Sequence, residues 1–192
     1  MKIICIGRNY AEHAKEMKAE TPTEPVFFMK PETALVRNGD PFFYPDFSKE
    51  VHHEVEIIIK VCKNGKNIQK QFANKYYNEV SIGIDFTARD LQAQCKAKGL
   101  PWEKAKAFDG SAPIGTFVPI THFKDINNMG FRLDRNGKTI QHGSTKDMIF
   151  SGDTIIEYVS KFGTLKMGDL IFTGTPEGVC PVKGCDKMEA FI

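Results

Sequence analysis

No two of the five cysteines are spaced as CxxC, and their positions, 5, 62, 95, 180 and 185, are scattered through 192 residues. An odd, dispersed set argues against a disulfide framework and predicts reduced thiols. Cys180 and Cys185 flank a glycine-containing turn and are placed to approach each other, but without histidine partners they do not make a zinc set. Clustered charge is also missing: charged residues make up 26% of the chain, the formal net charge is +2, and there is neither a basic block nor an acidic tail. That removes the electrostatic footprint of nucleic-acid or anionic-membrane binding. No apolar run approaches the roughly 20 residues that span a bilayer. The apolar stretch within residues 1–8 is too short for a signal peptide and passes directly into a polar helical pattern. Internal repeats and low-complexity linkers are absent too. The expectation is a soluble cytoplasmic protein without nucleic-acid or membrane partners.

What is present fits one domain over residues 1–192, large enough at 21.6 kDa to bury a substantial core. Residues 2–6 read as a short strand, and Asn9 as the cap of a helix over about 10–19 that breaks at Thr21-Pro22-Thr23-Glu24-Pro25. A strand at 26–30 stops at Pro31. A longer one at 52–62 runs into the turn at 63–66, followed by a helical turn at 74–78 and a strand at 80–86. Thr87-Ala88-Arg89-Asp90 reads as a capping box for a helix through Lys98, closed by Gly99 and Pro101. Residues 102–119 read as an ordered irregular loop, and Asn136-Gly137 as a two-residue hairpin turn. Residues 151–162 carry helical spacing with Gly163 at the end, and 170–173 form a strand. Many short strands, a few helices and no regular βαβ alternation predict an α+β fold.

Three carboxylates in the strand-like runs are the first chemical signal. Glu54 and Glu56 lie in His53-Glu54-Val55-Glu56-Ile57-Ile58-Ile59, and Asp85 in Ser81-Ile82-Gly83-Ile84-Asp85-Phe86. Residues two apart in a strand leave the same face, about 6.5–7 Å apart. Carboxylates among Val and Ile are costly unless something positive meets them, and an oxygen-only set suits a hard divalent cation such as Mg²⁺. The competing reading is an amphipathic strand with its glutamates in water and Val55 and Ile57 inside.

The order of five motifs carries further. Gly7-Arg8-Asn9-Tyr10 with His13 and Glu16, then His52-His53-Glu54-Val55-Glu56, then 85–92 (DFTARDLQ), then Lys106-Ala107-Phe108-Asp109, then 173–179 (TGTPEGV) resemble the fumarylacetoacetate hydrolase family. The likeness is closest to its small acylpyruvate hydrolases and oxaloacetate decarboxylases and is colinear over nearly the whole chain. It implies a β-rich rolled mixed sheet with short peripheral helices, a homodimer, and Mg²⁺ or Mn²⁺ held by Glu54, Glu56 and Asp85. In the family pattern one more glycine-containing strand follows the equivalent of 187–192, so the final sheet is expected to lack it.

Residue types three apart on helices fit this chemistry. His13 and Glu16 share one helix face, as do Arg89 and Gln92. A His beside a Glu suits a general base, and an Arg fork suits a carboxylate. By spacing alone His13 and Glu16 read rather as a solvent-exposed polar pair, and Arg89 reads equally as surface charge paired with an acid such as Asp90. The resemblance implies that His13 and Glu16 form a catalytic dyad on a lid helix, at about 9–19, and that Arg89 and Gln92 bind substrate. It also selects Lys106 over Lys104 as the ammonium that neutralises an enolate, and Thr175 as a substrate contact in a loop that otherwise reads as turn chemistry. Arg8 and Lys30 would add positive charge. His52, His53, His122 and His142 read as structural or surface residues. The implied reaction is metal-dependent cleavage of a 2,4-diketo acid to pyruvate and a carboxylic acid through an enolate, with a small 2-oxo acid as substrate. Oxaloacetate decarboxylation or tautomerisation, 2-hydroxy-dienoate isomerisation and a purely structural ion are the alternatives.

Overall fold

The computed structural model describes residues 1–192. Its strands are β1 (Ile3–Gly7), β2 (Val26–Lys30), β3 (Leu35–Val36), β4 (Val51–His52), β5 (Val55–Val61), β6 (Tyr77–Ile84) and β7 (Thr87–Ala88). They continue with β8 (Ala112–Pro113), β9 (Val118–Pro119), β10 (Gly130–Arg135), β11 (Lys138–Ser144), β12 (Leu170–Phe172) and β13 (Met188–Phe191). The α-helices are α1 (Ala11–Glu16), α2 (Lys70–Ala73), α3 (Arg89–Lys98), α4 (Glu103–Lys106) and α5 (Gly152–Phe162). Strands dominate, as the sequence predicts for an α+β fold.

Six strands form a mixed sheet in the order β2-β1-β12-β5-β6-β9, with β1 and β12 parallel and the other neighbours antiparallel. A second sheet orders β11-β10-β13. Side-chain alternation divides the large sheet cleanly. Ile4, Ile6, Val55, Ile57, Ile59, Val61 and Ile171 belong to the main core, together with Ile155, Ile156 and Val159 of α5. Ile3, Cys5, Ile58, Leu170 and Phe172 form a smaller cluster on the opposite face. Glu54 and Glu56 share the parity of Ile58, so they stand on the face of the smaller cluster. Both faces of this strand are therefore covered, which excludes the wet-face reading of its glutamates.

The hairpin forms as predicted: Asn136 and Gly137 both take positive φ, 52° and 78°, the conformation a two-residue turn between twisted strands demands. Helix α5 is capped by Ser151, whose hydroxyl accepts from the Thr154 amide, and ends before Gly163. Other boundaries differ. Asn9 does not cap the first helix. Its amide is buried, donating to the Phe150 and Thr173 carbonyls at 2.9 and 2.7 Å and accepting from the Phe150 N–H at 2.7 Å. The helix is also shorter than 10–19, since Met17 leaves helical geometry and Lys18 takes φ 51°. The helical turn falls at Lys70–Ala73 rather than 74–78, because Tyr77 pairs with Val61 in the sheet. No side chain caps α3, whose N-cap is Ala88; Asp90 instead accepts from Ser48, Lys49 and the Leu91 amide. The stretch 102–119 contains α4, β8 and β9 rather than irregular loop alone.

Candidate active site

The ladder between β5 and β6 builds the acidic cluster. Glu56 faces Gly83 across it, and just beyond the strand ends the Asp85 N–H donates to the Glu54 carbonyl at 2.8 Å. That register sets Asp85 beside Glu54 and two residues along from Glu56. Carboxylate oxygens of all three residues lie within 4.8 Å of one another, and all three are buried.

Cations surround this cluster in layers. Lys106, at the end of α4, places its ammonium 2.8 Å from Glu54 Oε2 and 2.7 Å from Asp85 Oδ2. Arg89, the first residue of α3, donates from Nη2 to Glu54 Oε1 at 2.6 Å and from Nη1 to Gln92 at 2.7 Å. Lys30 lies 2.8 Å from Asp85 Oδ1 and is fully buried. It does not line the open cleft: its remaining donors go to the carbonyls of Phe86, Lys106 and Ser111 and to the Ser111 hydroxyl. Lys30 thus sets its positive charge against Asp85 from behind rather than in the open cleft.

The electrostatics follow from burial and neighbours. Burial alone raises the Glu54 carboxyl, but Lys106 and Arg89 override it and hold Glu54 well below the ordinary carboxylate range. Glu56 goes the other way. Burial, then repulsion from Asp85 and Glu54, push it well above that range, and its one hydrogen bond is from the Gly174 N–H to Oε2 at 2.7 Å. Burial disfavours the Lys106 ammonium, yet Asp85 and Glu54 hold its pKa above the usual lysine value.

These residues fit a divalent cation. The donor set is oxygen only, and Glu56, buried among the other two carboxylates, makes no ion pair and accepts one hydrogen bond, from the Gly174 N–H. That is the deficit a hard cation would meet.

Across the cleft stands α1. His13 Nδ1 lies 3.1 Å from Glu16 Oε2, and both Glu16 oxygens also accept from the Gly178 N–H, at 3.1 and 3.3 Å. A carboxylate only accepts, so Nδ1 carries a proton toward Glu16, and the neutral form of the imidazole has its lone pair on Nε2. Glu12, one residue before His13, pairs instead with Lys15 at the surface. His13, Arg8, Arg89, Gln92, Lys106 and Thr175 all line the cleft that holds the three carboxylates. Lys104 is exposed and outside it.

Three features were not foreseen. Lys96 and Trp102 also line the cleft, with the Lys96 ammonium 5.6 Å from the indole centroid. Partial burial, then repulsion from Arg89 and Arg8, lowers the Lys96 pKa. Lys96 lies two turns along α3 from Arg89, on the same face as Gln92, a spacing that pointed to it. Arg8 takes φ 59°, the left-handed region uncommon outside glycine, and strain of this kind collects at functional sites. His53 is completely buried, between Gln141 Oε1 at 3.0 Å from Nδ1 and Cys180 Sγ at 2.9 Å from Nε2. Burial holds its pKa down at about 4. Cys180 therefore faces a histidine, and Cys185 is exposed and free.

This fold, with a buried all-carboxylate cluster opposite a His–Glu pair, matches the family model described as fumarylacetoacetate (FAA) hydrolase C-terminal over residues 2–192. The chain belongs to the fumarylacetoacetate hydrolase family. It is 45% identical over 190 residues to oxaloacetate tautomerase FAHD1, mitochondrial, of Bos taurus, covering 99% of this chain and 86% of that protein. The Arabidopsis thaliana protein of the same name is 43% identical over 191 residues, covering 100% and 86%. Among solved structures, fumarylpyruvate hydrolase from Pseudomonas aeruginosa in complex with Mn²⁺ and pyruvate superposes with a TM-score of 0.93 at 36% identity. That match covers 100% of this chain and 84% of the other. A 5-carboxymethyl-2-hydroxymuconate delta-isomerase from Mycobacterium smegmatis reaches 0.86 at 34% identity, covering 98% and 73%. Each of these relatives is named for an enzyme activity, and the three activities differ.

Proposed function

We propose that this protein is a divalent-metal-dependent enzyme acting on a small 2-oxo acid through its enolate, with keto–enol tautomerisation of oxaloacetate as the reaction. The observation that carries this reading is the His13–Glu16 pair, its imidazole lining the same cleft as Glu54, Glu56 and Asp85. Glu54, Glu56 and Asp85 would hold Mg²⁺ or Mn²⁺, which when bound supplies a Lewis acid for the carboxylate and 2-oxo oxygens.

This chain's own residues do the rest. Arg89, with Gln92 fixing its guanidinium, holds a substrate carboxylate. His13 Nε2 takes the proton from the carbon next to the 2-oxo group and delivers it to the enolate oxygen, or carries it from the enol hydroxyl to that carbon in the reverse direction, while Glu16 steadies the imidazolium formed in between. Lys106 and Arg8 offset the negative charge that develops on the enolate. The names of relatives 43–45% identical over nearly the whole chain favour oxaloacetate as substrate.

The second reading is hydrolysis of an acylpyruvate to pyruvate and a carboxylic acid. In it His13 Nε2 takes a proton from the water that attacks the 4-carbonyl. It is favoured by the same dyad and by the likeness to the Pseudomonas aeruginosa hydrolase. A cytoplasmic location is part of the proposal. No helix is long and apolar enough to cross a membrane.

The deciding assay follows the decay of enol-oxaloacetate by ultraviolet absorbance and the release of pyruvate from acetylpyruvate, each with Mg²⁺ and with EDTA. Faster enol decay that EDTA abolishes supports the tautomerase. Pyruvate release from acetylpyruvate without it selects the hydrolase. Metal that raises the melting temperature with no turnover of either substrate leaves the ion a structural role and rejects both.

A further inference from the structure

Gln141 has no place in the chemistry above, yet it is 1% exposed and satisfies four polar groups at once. It stands on β11, in the small sheet, and reaches toward β5 and the loop after β12. Its Oε1 accepts from the Val55 N–H at 3.1 Å and from His53 Nδ1 at 3.0 Å. Its Nε2 donates to the Pro176 carbonyl and to Thr175 Oγ1, both at 2.8 Å. That uses the full capacity of a primary amide, two acceptor sites and two donors.

The orientation of this amide is forced from both ends. Val55 N–H only donates and the Pro176 carbonyl only accepts, so the oxygen must face β5 and the nitrogen must face Pro176. His53 completes the lock: Nδ1 carries its proton toward Gln141, and Nε2 is left to accept from the Cys180 thiol. Thr175 Oγ1 must then accept from Nε2, which has no lone pair to offer. Its own hydroxyl proton is free to point elsewhere, and Thr175 lines the cleft beside Glu56, Arg89 and Lys106.

We propose that Gln141 is a positioning residue that makes Thr175 a hydrogen-bond donor, rather than an acceptor, toward the carboxylate of the bound 2-oxo acid. The inference rests on the reading of the cleft as a 2-oxo acid site. It explains why a buried glutamine, far from Thr175 in sequence, is held on every polar atom. Gln141→Glu changes one nitrogen to oxygen and reverses the polarity. The carboxylate accepts a hydrogen bond from the Thr175 hydroxyl, and Thr175 turns lone pairs to the cleft.

The test is calorimetric binding of oxalate and of oxamate, which replaces one carboxylate with an amide, to the full chain in saturating Mg²⁺. Gln141→Glu is expected to weaken oxalate at least tenfold and to lower the oxalate-to-oxamate affinity ratio, a change of preference that simple loss of packing does not produce. In a Thr175→Val background the same substitution should change oxalate affinity less than twofold. Should Gln141→Glu not fold, Gln141→Met enters the same cycle, where its loss of oxalate affinity must likewise vanish in the Thr175→Val background. Oxalate binding within twofold of wild type, or an equal loss with and without the Thr175 hydroxyl, overturns the positioning role. Failure of wild-type protein to bind oxalate at all overturns the reading of the cleft itself.

Discussion

Lys106 meets two carboxylates with one ammonium, and it does so out of contact with solvent. Removing one partner of a buried ionic cluster costs about 3–5 kcal/mol, because the charges left behind remain desolvated. Lys106→Met is therefore expected to lower the stability of the metal-free protein by that order in urea unfolding. It should also enlarge the rise in melting temperature that Mn²⁺ produces, since the cation then meets carboxylates without a competitor. A smaller metal-induced rise than in wild type would count against the ammonium as their counter-charge. Glu16 makes a different prediction. It orients His13 but touches none of the three cluster carboxylates, so Glu16→Gln should cut turnover of the true substrate by about 10²–10⁴-fold. Mn²⁺ affinity should stay unchanged by titration calorimetry. Lost metal binding would refute that separation of roles.

At the scale of elements, the loop after β12 and the start of α3 both depend on backbone geometry. Gly174 takes φ +101°, and a Cβ there would come 2.7 Å from Asn9 Cβ and 3.2 Å from the Ile6 carbonyl. Its N–H is also the hydrogen bond to Glu56. Gly174→Ala should cost at least about 1–3 kcal/mol by strain alone and weaken Mn²⁺ binding. Gly130→Ala, where nothing lies within 4 Å, should stay within about 0.5 kcal/mol on the same thermal and binding measurements.

Asp90 ties α3 to the segment before β4. Partial burial raises its carboxyl, but hydrogen bonds from the Lys49 N–H, the Ser48 hydroxyl and the Leu91 N–H outweigh burial and hold it below the ordinary value of 3.8. A carboxyl lowered on folding contributes stability above its unfolded pKa and loses it as pH falls through the folded one. Asp90→Asn should thus reduce stability at pH 7 by about 1 kcal/mol, a drop of roughly 2–4 °C in a chain of this size. The gap to wild type should narrow as pH falls below 3.8. A gap of constant size from pH 7 to pH 3 would show that ionisation of Asp90 plays no part.

For the whole molecule, the expectation from the family resemblance is a homodimer. Large apolar side chains stand in solvent on the single chain, Phe43 at 81% and Phe47 at 55% exposure. Light scattering is expected to return twice 21.6 kDa, and a mass of 21.6 kDa would overturn the dimer.

What the sequence by itself determined is what local rules govern. Period-two alternation set Glu54 and Glu56 on one face, Asn136-Gly137 made the hairpin, and the i, i+3 spacing brought His13 to Glu16 and Arg89 to Gln92. Motif order was enough to mark Lys106 over Lys104. Tertiary structure alone decided the rest, because each outcome depends on partners distant in the chain. Asn9 meets Phe150 and Thr173 instead of capping α1, Lys30 passes behind Asp85 instead of into the cleft, and His53 is held inside by Gln141 and Cys180. A hydrogen-bonding group buried by folding takes whichever complementary partner the fold brings within 3 Å or so, and no spacing along the chain encodes that choice.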